Sequence, residues 1–153
     1  MSEYTGVPRP TAPAELTSDS PYTLPGFFAA LAAGELLAAV CADCDTRLIP
    51  PRTACYGCGG RDLTTAAEPH TGTVVSYTEV RTAPPAFADQ VPYTVAVVEL
   101  DSGAKLTGRL TAAYDEVAID MSVRLVVRAP TAAERELGLS YETEWPVHTF
   151  EPV

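Results

Sequence analysis

At 153 residues the chain has the length of one domain or two very small ones, and a fold of this size buries about two-thirds of its unfolded surface around a modest core. A hydrophobic content of 46% with mean hydropathy +0.06 excludes a disordered chain, while 14 prolines and 10 glycines favour turns over long helices. Twenty acidic residues against ten basic ones, nine of them Arg plus Lys105, give a net charge of -10. That balance reads first as solubility and argues against nucleic acid, whose phosphates are bound by clustered Lys and Arg that release counterions.

Residues 1–22 read as a flexible tail, because prolines and small polar residues dominate and large apolar side chains are nearly lacking. The polar start, with Pro8, Pro10 and Pro13, does not resemble a signal peptide, so the expectation is a cytoplasmic protein. Residues 23–36 read as a short helix: Phe27, Phe28, Leu31 and Ala32 recur at helical spacing, with Pro25 suited to its start and Gly34 to its stop. Its apolar face serves either as a core stripe or as a docking surface. The apolar run from Leu24 to Val40 is broken by Gly26, Gly34 and Glu35 and falls short of the roughly 20 residues that span a bilayer, so no membrane association is expected.

Residues 37–66 hold all four cysteines as two CxxC pairs, Cys41-Ala42-Asp43-Cys44 and Cys55-Tyr56-Gly57-Cys58, separated by ten residues. Each pair places two thiolates on one side of a tight knuckle, and two facing knuckles complete the tetrahedral cage that Zn²⁺ prefers. Such binding contributes on the order of 10 kcal/mol to folding, so the ribbon needs little core of its own. Two disulfides require an oxidising compartment, and a redox CxxC normally stands alone in a thioredoxin-like context. Zinc is the expected ion, with iron on four thiolates as the open alternative. A closed site with four cysteines has no free coordination position, so its role is structural.

Residues 67–153 read as a β-barrel. Strands are expected at Gly72–Val80, Pro92–Leu100, Lys105–Leu110, Val123–Ala129 and Tyr141–His148, from their β-branched and aromatic residues and the turns between them. Leu106, Gly108 and Leu110 oppose Lys105, Thr107 and Arg109, so one face is buried. Asp101-Ser102-Gly103 reads as a hairpin with Gly103 at positive φ, and Tyr114–Ile119 as a short helical connection. The fold class is therefore mainly β: a short N-terminal helix, a four-cysteine ribbon and a five-stranded barrel of OB type, a pattern that other small barrels share. His70 and His148 lack neighbours in a catalytic pattern, and no phosphate loop, HExxH motif or nucleophile elbow is present.

The ordered residues resemble the domain of unknown function 35 family, a rubredoxin-like zinc ribbon followed by an acyl-CoA-associated OB fold. Phe27-Phe28 through Gly34-Glu35-Leu36-Leu37, then Cys41-Ala42-Asp43-Cys44, Pro50-Pro51-Arg52, Cys55 and Cys58, carry the first part of the resemblance. Gly72-Thr73-Val74-Val75-Ser76-Tyr77-Thr78 and Val98-Glu99-Leu100-Asp101-Ser102-Gly103 carry the second. The resemblance implies an accessory subunit, not an enzyme on its own, that binds a thiolase and helps form the CoA or acyl-CoA site. A MaoC-type hydratase or a thiolase-like aldolase is the alternative partner, and single-stranded nucleic acid bound by the barrel and ribbon is the alternative function. Arg47 and Arg52 on the ribbon loop are the candidate contacts to CoA phosphates, with a surface salt bridge as the competing role. Arg81, Phe87 and Tyr93 are candidates for stacking on adenine or touching a partner, against simple loop anchoring. Three departures from the family pattern stand out: Asp45 and Asp120 replace frequent glycines, Tyr56 a frequent proline inside the knuckle, and Asp tolerates the left-handed backbone that Gly provides.

Overall fold

The computed structural model describes residues 3–137 and 144–153. The chain divides into two compact units, residues 1–69 and 70–153.

In the first unit, helix α1 (Leu24–Ala32) starts where Thr23 accepts the Gly26 amide at 3.3 Å, with Pro25 in the first turn, where its missing N–H is harmless. It ends where the Gly34 and Glu35 amides return to the Leu31 and Ala30 carbonyls. Phe27, Ala30 and Leu31 are buried along one face. A three-stranded antiparallel sheet follows in the order β2 (Arg47–Leu48), β1 (Leu37–Cys41), β3 (Leu63–Ala67). Tyr22, Ala39, Cys41, Leu48, Cys55 and Leu63 pack into one apolar cluster against it.

The reading of residues 1–22 as a loose tail meets a different arrangement. The Gly6 and Arg9 amides donate to the Thr65 and Leu63 carbonyls at 2.8 and 2.9 Å, the Thr65 amide returns to Val7, and Pro8 bridges Thr64. The segment thus lies along β3 as an edge, a place where proline is tolerated because no ladder donor is required of it. The Tyr22 hydroxyl donates to the Val7 carbonyl at 2.7 Å, and burial pushes its pKa up to about 12.

The second unit is a closed barrel in the order β4 (Thr71–Val80), β5 (Tyr93–Leu100), β6 (Lys105–Leu110), β8 (Val147–Pro152), β7 (Ser122–Arg128). All neighbours are antiparallel except β6 and β8, which run parallel through Arg109–Thr149 and Leu110–Phe150. This five-stranded closure is that of an OB barrel. A bulge between Val74 and Ser76 bends β4, the strand that pairs with both β5 and β7. Val74, Ala96, Val98, Leu100, Leu110, Val123, Leu125 and Phe150 fill the interior. Gly103 takes φ 93° in the β5–β6 hairpin, as its place in the turn requires.

Four of the five expected strands fall within about a residue of their reading. The fifth is displaced: β8 runs Val147–Pro152, and Tyr141–Thr143 of the expected strand lie outside the described residues. The expected helical connection shrinks to a single 3₁₀ turn, Tyr114–Glu116, and a short helix α2 (Ala132–Leu137) follows β7.

Candidate metal centre

The two CxxC knuckles are near copies of one another. In the first, the Cys41 amide donates to Thr46 O at 3.0 Å and the Asp45 amide to Cys41 O at 2.8 Å. In the second, the Cys55 amide donates to Gly60 O and the Gly59 amide to Cys55 O, both at 2.9 Å. The residue after each second cysteine is left-handed, Asp45 at φ 62° and Gly59 at φ 75°. The turn closes only in that conformation, and it aims both sulfurs of a pair to the same side.

The knuckles face each other so that the four sulfurs lie within 4.8 Å of one another. Cys41 Sγ stands 3.6 Å from Cys58 Sγ, and Cys44 Sγ 3.6 Å from Cys55 Sγ. A disulfide holds its sulfurs at about 2 Å, so these are four free thiols. A tetrahedral ion with bonds of about 2.3 Å separates its sulfurs by roughly 3.8 Å, which this cage matches. Cys41 and Cys55 are buried while Cys44 and Cys58 face solvent. Amides of Gly57 and Gly60 donate to Cys55 Sγ and Cys58 Sγ, each at 3.3 Å. The Thr46 hydroxyl and amide hold Cys44 down at about 6. At Cys58 the Gly60 amide lowers the thiol, but the neighbouring sulfurs of Cys44 and Cys41 push it up to about 12. Four thiolates this close repel unless a cation sits among them, so the donor set suits a thiophilic divalent ion. A Cβ on Gly60 would stand 3.1 Å from Cys58 Sγ and 3.3 Å from Cys41 Sγ, so the backbone is drawn tight against the cage. Among the described residues no other cluster of His, Cys, Asp or Glu converges in this way.

Away from the cage, Arg47 on β2 is engaged. Its Nη1 donates to Glu68 Oε1 at 2.5 Å, and the Glu68 side chain is 0% exposed. Arg52 is exposed on the loop between the knuckles. In the barrel unit, Arg81 pairs with Glu79 at 2.5 Å. Phe87 and Tyr93 flank Arg109, whose guanidinium lies 3.7 Å from the centre of the Tyr93 ring and 5.8 Å from that of Phe87 while Nη1 donates to Gln90 at 2.7 Å. These aromatics therefore anchor the 81–92 loop through Arg109, which the sequence reading missed; its position on the outer, polar face of β6 was the available signal. His148 Nε2 meets the Thr107 carbonyl at 3.1 Å, and His70 offers its carbonyl to the Leu125 amide, so both serve the barrel. Among the described residues no helix is long and apolar enough to cross a membrane.

A four-cysteine ribbon joined to an OB barrel defines a small class of two-module proteins. Residues 28–64 match the model of the ChsH2 rubredoxin-like zinc ribbon domain, and residues 65–128 that of the ChsH2 C-terminal OB-fold domain. The chain is 34% identical over 95 residues to a DUF35 domain-containing scaffold protein of Methanocaldococcus jannaschii, covering 61% of this chain and 67% of that one. It is 42% identical over 86 residues to a probable enoyl-CoA hydratase alpha subunit of Thermomonospora curvata, covering 56% of this chain but only 27% of that longer protein. A solved structure titled Ltp2-ChsH2(DUF35) aldolase superposes with TM-score 0.63 at 32% identity, covering 83% of this chain and 91% of that one. The chain belongs to the DUF35 family, with the zinc ribbon and OB fold of ChsH2.

Proposed function

We propose that the chain is a non-catalytic accessory subunit of an acyl-CoA-processing complex in the cytoplasm, with a thiolase-type enzyme as its partner. One observation carries the accessory-subunit part of this reading: the likeness extends over 91% of a chain from a structure whose title pairs a DUF35 protein with an aldolase component. The naming of other relatives as scaffold proteins supports it. Zinc held by Cys41, Cys44, Cys55 and Cys58 supplies a structural cross-link with no open coordination position. Arg52, exposed on the ribbon loop, is the contact to CoA phosphates; Arg47, the other candidate, has its charge met by Glu68.

Two printed names favour a second partner class. The aldolase of the matching structure and the hydratase subunit among the relatives point to a thiolase-like aldolase or a hydratase in place of a ketothiolase. Single-stranded nucleic acid is disfavoured: Arg81, Arg124, Arg128 and Arg135 are each paired with a glutamate, which leaves no basic stripe among these residues.

The test is purification of the tagged full chain from its own cytoplasm, with mass spectrometry of bound proteins and zinc quantified in the same sample. A thiolase-type enzyme in fixed ratio with about one zinc per chain is expected. A solitary protein, or one carrying nucleic acid, overturns the reading.

A further inference from the structure

At one end of the barrel, strand pairing places a carboxylate in the mouth. Glu79 pairs with Thr94, and Thr94 with Leu110, so the three side chains share one face of the sheet, the face that buries Thr94 and Leu110. Beyond them opens a recess of about 310 Å³, whose lining includes Glu79, Pro92, Tyr93, Thr94, Leu110 and Tyr114. Tyr114 is 44% exposed and its ring rests on Tyr77 with centroids 5.3 Å apart; Tyr77 lies two residues before Glu79, on the same face of β4. A carboxylate, an exposed tyrosine and a floor of Thr94 and Leu110 thus meet in one recess.

We infer that this recess takes an arginine side chain presented by the partner enzyme. A planar guanidinium can meet a carboxylate through two parallel hydrogen bonds and stack on an aromatic face, whereas an ammonium is a strongly hydrated point charge. The same barrel already stacks one guanidinium in this way, Arg109 on Tyr93, with the amide oxygen of Gln90 in place of a carboxylate. Glu79 is available for exchange. Among the described residues its ion pair runs through Oε1 to Arg81, whose side chain is 82% exposed, and exposed pairs of this kind hold weakly. A partner guanidinium inserted over Leu110 meets the carboxylate at a lower local dielectric than Arg81 does, and the paired hydrogen bonds and ring stacking offset the water it loses.

The identity of the donor rests on the accessory-subunit reading; the recess itself is tested on the isolated full chain. ¹⁵N-resolved NMR is followed during titration with N-acetyl-arginine-methylamide and, separately, with its norleucine counterpart. Saturable shifts at Glu79, Thr94, Leu110 and Tyr114 are expected with the arginine compound alone. Glu79→Gln weakens the binding by about tenfold or more, as loss of a charge-assisted pair implies. Arg81→Ala strengthens it by about two- to threefold, because the internal competitor is gone. Equal shifts with norleucine, unchanged affinity in Glu79→Gln, or no shift at all overturns the inference, and spectra of the variants show directly whether the barrel is still folded. Loss of the partner in the purification above, with arginine binding intact, sinks the accessory reading and leaves the recess standing.

Discussion

Asp45 and Gly59 occupy the same position in the two knuckles, both left-handed, at φ 62° and φ 75°. One knuckle uses the residue for which this conformation is free, the other a residue that tolerates it through its short polar side chain. Asp45→Gly should therefore leave thermal stability within about 1 kcal/mol of the parent, relief of strain being offset by the greater freedom of the unfolded chain. Asp45→Val should cost about 1–2 kcal/mol and speed metal loss to a chelator. Denaturant melts and chelator-competition rates on the two variants check this; equal behaviour of Gly and Val would mean that the backbone here is not strained.

Removing the metal should divide the molecule. The apolar cluster beside the cage includes Cys41 and Cys55, themselves cage residues, while the barrel has its own interior around Phe150. Chelation, or Cys55→Ser, should erase the dispersed NMR signals of residues 37–67 and leave those of β4 to β8 in place. Gly60→Ala should act in the same direction but more weakly, since its Cβ would displace the Asp43 carboxylate and press on the Cys58 and Cys41 sulfurs. Barrel signals lost together with the ribbon would show that the two units fold as one.

What the sequence disclosed follows from the range of each signal. The cage was legible because both knuckles are short, local motifs, and β4 to β7 because buried and exposed residues alternate along them. The last strand was misplaced: aromatic Tyr141 and Trp145 drew the reading upstream, whereas the buried residue that seats β8 is Phe150. The edge segment around Val7 was hidden by prolines, which suit an edge and equally suit a loop. Helix α2 carried a readable start, Thr131-Ala132-Ala133-Glu134, in which the Glu134 carboxylate accepts the Thr131 amide and Thr131 Oγ1 accepts the Glu134 amide. The ion pair between Arg47 and Glu68 was beyond reach, because no local pattern joins residues 21 apart in the chain.

That pair yields a prediction bearing on Arg47. Arg47→Ala leaves the fully buried Glu68 carboxylate without its cation and should cost about 3–5 kcal/mol, although Glu68 makes further contacts that cushion the loss. The double change Arg47→Met with Glu68→Leu removes both charges and should recover most of that stability. Unfolding of the four members of the cycle measures the coupling. An Arg47→Ala variant as stable as the parent would return the side chain to the role of a free phosphate contact.

The Arg128–Glu134 pair makes stability depend on pH in a defined window. The Arg128 guanidinium, then the Thr131 amide, holds Glu134 down to about 2 from an ordinary 4.5. A carboxyl whose folded pKa is depressed adds stability that is fully present above the unfolded value, near 4.5, and is lost as the pH falls toward 2. Both partners are open to water, with side-chain exposures of 47% and 31%, so screening limits the contribution to no more than about 1 kcal/mol. Glu134→Gln should therefore be less stable than the parent at pH 6, and the gap should close steadily between pH 4.5 and pH 2. Urea unfolding of both proteins across that range checks the sign. A gap that widens on acidification would mean that Glu134 is better held in its protonated form, and that the bond to Arg128 does not persist in solution.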